Sequence, residues 1–161
     1  MVEFALVAPT LLLLCFGTLE FSLLLFGSTA GRYAADQAAR AASEAGSNPA
    51  ADLITVAAVR GTALGSTSIV NVSEVDIYKV NLVNGSLQQD TALVNRYQLD
   101  GTPIGTPQWL ANQRSTSASR PEFLGVTIRY SYRWKEGLLS SFLPPVNLTS
   151  TSWVRLEPQN F

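Results

Sequence analysis

Hydrophobic positions are laid out in two different ways along this chain. From Phe4 to Gly27 they run almost unbroken, and Glu20 is the one charge among them. From Ile69 onward they alternate with polar residues or cluster around Val, Ile and Tyr. The first pattern predicts a helix that is apolar all round, and the second predicts strands. As a helix, Phe4 to Gly27 would extend about 36 Å, enough to cross a bilayer core. A cleaved secretory signal is the poorer reading, because the run starts acidic at Glu3, is too long, and merges into further helix. A buried helix of a soluble domain is poorer too, since such helices are striped.

Helix continues to Ala45 with a different character. Ala34, Ala35, Ala38, Ala39, Ala41, Ala42 and Ala45 are small and strongly helix-forming, a composition that lets helices approach closely. Arg32, Asp36, Arg40 and Glu44 recur every fourth residue as a ladder of opposite charges. It reads either as a solvated face or as a contact between subunits. Gly46-Ser47-Asn48-Pro49 is a stop, with Pro49 placed to start the next helix after an Asn cap. Leu53, Val56, Ala57, Arg60 and Leu64 then recur at helical spacing, predicting a short amphipathic helix over 50–64.

Strands are predicted at 69–83, more weakly at 93–99, at 123–134 and at 146–156, with Asn84-Gly85 as a hairpin turn. In 123–134, Val126, Ile128, Tyr130, Tyr132 and Trp134 face one way, and Thr127, Arg129, Ser131 and Arg133 the other. Gly101 to Pro121 lacks periodicity and reads as a surface loop pinned by Trp109, and 137–145 as a loop or half-turn. No internal repeat is visible. The expected fold is α+β: a long N-terminal hydrophobic helix over 1–46, continuing into a head over 47–161 whose antiparallel sheet packs on the helix's second half.

Three residues of the first stretch exceed what a simple anchor needs. Pro9 removes a helix hydrogen bond and predicts a kink or a locally opened turn. Glu20 puts a carboxylate near lipid depth, at a cost of about 2.5–3.5 kcal/mol on insertion scales unless it is paired. It either snorkels at the interface or meets a cation or polar group on a neighbouring helix. Glu3 complements the helix dipole, and its apolar flanks suggest a more specific role.

Composition narrows the chemistry. The chain has 161 residues, a formal net charge of −1 and 14% charged residues, which gives no sign of a nucleic-acid partner. It has no His, and its single Cys, Cys15, lies in the apolar run. Catalytic triads, Cys-His pairs and zinc sites therefore have no candidates, and Gly61 and Gly65 fit no phosphate loop or dinucleotide fingerprint. Asp76, Asp90 and Asp100 are too scattered to argue for calcium. No enzyme activity, cofactor or metal is expected. Asn71, Asn84 and Asn147 each open a match to the glycosylation acceptor pattern.

The run Val2-Glu3-Phe4-Ala5-Leu6-Val7-Ala8-Pro9 and the later Phe16-Gly17-Thr18-Leu19-Glu20-Phe21 resemble the TadE-like family of the tight-adherence (Flp) pilus system. Ala38-Ala39-Arg40-Ala41-Ala42 and the closing Val154-Arg155-Leu156-Glu157-Pro158 are similar to that family more weakly. The resemblance implies a prepilin-like protein with a type IV pilin-like helix, cut after a Gly by a prepilin peptidase. The pilus assembly machinery would extract it from the membrane into an extracellular fibre that serves adhesion. By the same resemblance, Glu3 matches the pilin Glu that neutralises the N-terminal amine of an adjacent subunit. Phe4, Pro9, Glu20, Phe21, Arg32, Asp36, Arg40 and Glu44 join it as expected assembly residues of a homo-oligomeric filament.

Glu3 and Glu20 would lie about 25 Å apart along the axis and about 100° around it, addressing different neighbours. The family carries a short basic leader and a cleavage Gly ahead of this Glu, whereas Met1 and Val2 alone precede Glu3. Either the leader lies outside this sequence or Met1 is not the mature end. With Glu3 before the span and Arg32 after it, the charge rule places the head in the cytoplasm, and a basic leader reverses that to an inner-membrane precursor with its head outside. The rival reading is a monomeric single-pass membrane protein whose extracytoplasmic head binds a ligand or partner.

Overall fold

The structure, a computed structural model, describes residues 2–117, 119–120, 122–135, 140–141 and 143–157. The first helix, α1 (Val2–Ala45), passes through Pro9 without interruption. Two short helices follow, α2 (Ala51–Arg60) and α3 (Ala63–Ser66), then strands β1 (Val70–Val83), β2 (Ser86–Tyr97), β3 (Phe123–Tyr132) and β4 (Val146–Arg155). The strands form one antiparallel sheet in the order β2-β1-β3-β4. The second half of α1 lies across β3 and β4 and also packs on α2. The fold is the expected α+β, pilin-like one.

Several local expectations change. The helix expected over 50–64 is split at Gly61-Thr62, where the Thr62 hydroxyl donates to the Val59 carbonyl. Its start is Ala51 rather than Pro49, because Asn48 Oδ1 accepts from the Ala50 N–H and holds 48–50 as a turn. The strand expected over 93–99 begins as early as Ser86. Asn84 and Gly85 both have positive φ, 51° and 79°, the type I′ geometry that continues a hairpin directly. Between Tyr78↔Val94 and Val80↔Gln89 the pairing slips, so residues 90–93 bulge from β2. Asp90 holds that bulge, accepting from Asn81 Nδ2 and from the Ala92 N–H at 3.0 Å each. The expected loop at 137–145 lies largely outside the described residues.

The core face of the sheet carries Val75, Ile77, Leu124, Val126, Ile128, Tyr130 and Tyr132, all buried. A second slip at Val72/Glu74 makes Ser73 a bulge on β1, which is why the alternation over 69–83 is imperfect. Opposite this face α1 presents Ala34, Ala35, Ala38, Ala39 and Ala42, all within the same core. The approach is closest at Gly31, where an added Cβ would stand 2.0 Å from Tyr130 Oη and 2.7 Å from Ser150 Oγ. Gly31→Ala is therefore expected to destabilise the head by about 1–3 kcal/mol through overpacking, read as a lower urea midpoint with an unchanged slope.

A buried polar cluster ties the 101–121 loop to α2 and β2. Asp52 Oδ2 accepts from Asn95 Nδ2 at 2.7 Å and from Tyr97 Oη at 2.9 Å, and Oδ1 accepts from Arg114 Nη2 at 2.5 Å. Asn95 also bonds Trp109 through both its amide groups, to the Trp109 carbonyl and from its N–H. The Arg114 guanidinium sits 4.5 Å from the Trp109 ring centroid. Trp109 pins the loop as expected, through a constellation whose members are far apart in the chain.

Candidate assembly interface

Along α1 the covered and uncovered faces divide at Glu20. Before it, Phe4, Leu6, Val7, Leu11 to Leu14, Phe16 and Leu19 are exposed, and the most apolar window of the helix is 11% buried with a mean hydropathy of 1.9. Pro9 is exposed, and the Glu3 side chain lies outside the described residues. Gly17 opens a shallow groove lined by Leu13, Leu14, Thr18, Phe21 and Ser22. The two hydroxyls there are satisfied within the helix, Thr18 donating to the Cys15 carbonyl and Ser22 to the Thr18 carbonyl, both at 2.8 Å. An apolar helix with self-satisfied hydroxyls is consistent with membrane insertion.

Glu20 itself is corrected by the structure. It neither snorkels nor reaches for another helix, being 1% exposed and bonded by its own head. Oε1 accepts from the Lys135 backbone N–H at 2.6 Å, and Oε2 accepts a short hydrogen bond from Tyr132 Oη. Tyr132 ends β3, so this carboxylate clasps the rim of the sheet to α1. Burial, and then the Glu20 carboxylate, push the Tyr132 hydroxyl well above the ordinary tyrosine range, which keeps it a donor. Lys135 Nζ donates to the Ser68 carbonyl at 2.7 Å and closes the rim further. The expectation that Glu3 and Glu20 address two neighbouring subunits therefore does not hold for Glu20.

Beyond the clasp, one side of α1 is covered and the other is open. The covered side holds Gly27, Ala30, Gly31 and the buried alanines. The close approach foreseen for the alanines is thus made within the chain, to its own sheet and to α2. On the open side, Phe21 is 59%, Leu25 51% and Phe26 45% exposed. They are followed by exposed Arg32, Tyr33, Asp36, Arg40 and Glu44. Arg32, Asp36 and Arg40 make no side-chain hydrogen bond or ion pair with the described residues.

The remaining candidates are dispersed. Asn71 on β1, Asn84 in the hairpin turn and Asn147 on β4 are all exposed. Asp100 accepts from the Thr102 N–H at its own turn, while Asp76 lies buried in β1 against Arg129, its carboxyl raised chiefly by burial. No group of three or more metal-ligating side chains gathers among the described residues. Sequence reasoning missed Tyr132 and Lys135 as partners of Glu20. The signal available was a Tyr at the end of the best-patterned strand, but nothing in its spacing names a partner on α1.

Compared with known proteins, residues 1–40 match the TadE-like protein family. No curated protein and no solved structure matches the chain.

Proposed function

With a TadE-like N-terminus as the premise, we propose that this chain is a structural pilin or pilin-like subunit that polymerises through α1 into an extracellular filament of the tight-adherence type, serving adhesion. One observation carries the reading. The open face of α1 stays apolar past the rim of the head, at Phe21, Leu25 and Phe26, where the opposite face is already covered by the sheet. In a membrane-inserted monomer, Lys135 and the clasped Glu20 mark the level of the interface, because a lysine beside the helix stays with water. Val2 to Leu19 then fill about 27 Å of hydrocarbon, close to a bilayer core. Phe21, Leu25 and Phe26 are left above it, an apolar strip in water on a helix whose other side is occupied. A neighbouring α1 covers that strip, and a head-to-tail contact that does not close gives a filament.

In this reading residues 1–46 are the span before assembly and the filament core afterwards, with 47–161 as the head. Glu3, deep in the bundle, needs a positive partner that an adjacent subunit's amine supplies. The precursor sits in the inner membrane with its head outside, and a prepilin peptidase and the pilus machinery are its processing and export partners. Electron microscopy of sheared surface material, with an antibody to the head, should show filaments containing this chain. A monomeric receptor gives none. Glu3→Ala is expected to abolish those filaments while the membrane-inserted monomer keeps a protease-resistant head, and wild-type fibre yield from that variant would remove the role assigned to Glu3.

A further inference from the structure

The open face of α1 carries more than an apolar strip, and its charges have a spacing with consequences for how copies align. Arg32, Asp36, Arg40 and Glu44 alternate in sign at steps of four residues, each step rising about 6 Å and drifting about 40° around the helix. All four are exposed. An isolated helix would join such residues as i,i+4 pairs, yet no ion pair links Arg32 to Asp36 or Asp36 to Arg40. The ladder continues directly from Phe21, Leu25 and Phe26, with Tyr33 exposed beside it. It is therefore an extension of the face already argued to meet a second copy.

We propose that this ladder sets the axial register between neighbouring α1 helices of the filament, its occupant being a second copy of this chain whose upper rungs meet the lower rungs of the first. The proposal rests on the polymerisation reading and adds to it a rule for alignment. Helices in a filament built by one repeated head-to-tail contact run parallel. Two parallel copies displaced by one step bring Asp36, a lower rung of one, beside Arg40, an upper rung of the other. Displacement by zero or two steps places like charges together. The allowed offsets are thus odd multiples of about 6 Å, and the even ones are penalised. The drift around the axis restricts good contact to two or three rungs at once. Each exposed pair is weak and screened by salt, so the ladder selects among registers while the apolar strip holds the helices together.

The self-complementarity makes the rule testable with full-length chains exported by their own machinery. Arg32→Glu with Arg40→Glu makes every rung negative, and fibre yield is expected to fall at least tenfold while the head stays protease-resistant. Reversing all four rungs, Arg32→Glu, Asp36→Arg, Arg40→Glu and Glu44→Arg, restores the alternation, and fibres should return. Co-expressed with the parent chain under a second epitope tag, the fully reversed chain should form separate fibres, because a one-step offset between the two now juxtaposes like charges. Immunogold labelling reads this directly. Evenly mixed fibres, or full yield from the all-negative variant, overturn the register rule and leave polymerisation standing. Absence of fibres from the parent chain overturns polymerisation, and the register with it.

Discussion

Asp52→Ala is expected to cost the head about 3–5 kcal/mol, the loss typical of leaving a buried charge without its counter-ion. Arg114 is fully buried, and two of its guanidinium nitrogens, Nε and Nη1, already have no hydrogen-bond partner. What compensates it is the Asp52 carboxylate at 2.5 Å, the Trp109 carbonyl at 3.2 Å and the Trp109 ring. Deleting the carboxylate also leaves Tyr97 Oη without its acceptor and Asn95 Nδ2 with the Trp109 carbonyl alone. The measurement is urea unfolding followed by tryptophan fluorescence, with Trp109 inside the cluster as reporter. Replacing both ions, Asp52→Leu with Arg114→Met, should lose less than Asp52→Ala alone, because no buried charge remains unpaired. A double variant that loses the sum of the two single losses would show that the pair is not coupled.

Glu20→Ala is expected to cost about 2–6 kcal/mol, since the Lys135 N–H loses its acceptor and the Tyr132 hydroxyl keeps only the backbone carbonyl of position 20 at 3.5 Å, at roughly 1–3 kcal/mol each. Local opening should come first there, seen as faster amide exchange at Lys135 and through the end of β3 than at Val126 or Ile128 in its centre. Tyr132→Phe, which removes the donor instead of the acceptor, should cost less. The pH dependence has a definite sign. The Tyr132 hydroxyl is held above its ordinary value of 10.0, chiefly by burial and then by Glu20. Its contribution is fully present below pH 10 and is lost as pH climbs further, because the unfolded chain releases that proton first. Tyr132→Phe should flatten this alkaline loss, and an unchanged slope would mean that Tyr132 does not carry it.

The clasp shows where sequence reasoning stopped. Glu20 was conspicuous as one carboxylate in an apolar run, and the demand for a partner followed from the cost of burying it. Which group answered that demand did not follow, because Tyr132 and Lys135 come to the helix by way of an entire sheet. The alanines left a related question open. Small residues at helical spacing announce close packing without saying what packs, and here it is the chain's own β3 and β4 together with α2. The ladder was read as either solvated or shared. Its exposure and its lack of partners for Arg32, Asp36 and Arg40 needed the fold, since those depend on which face the sheet covers.

Local chemistry wrote the rest into the chain. An unbroken apolar run can only be a helix of this length, Asn84-Gly85 can hold positive φ at both positions, and strict alternation in β3 assigns its two faces. Those are decided by neighbours within a few residues. The tertiary structure decided what long-range contacts alone can decide: the Asp52–Arg114 pair, the bulge that hid the first half of β2, the sheet's seat on Gly31 and the alanines, and the closure of Glu20 against the head. Each of these depends on groups brought together by the folding of the whole chain, and periodicity carries no information about such meetings.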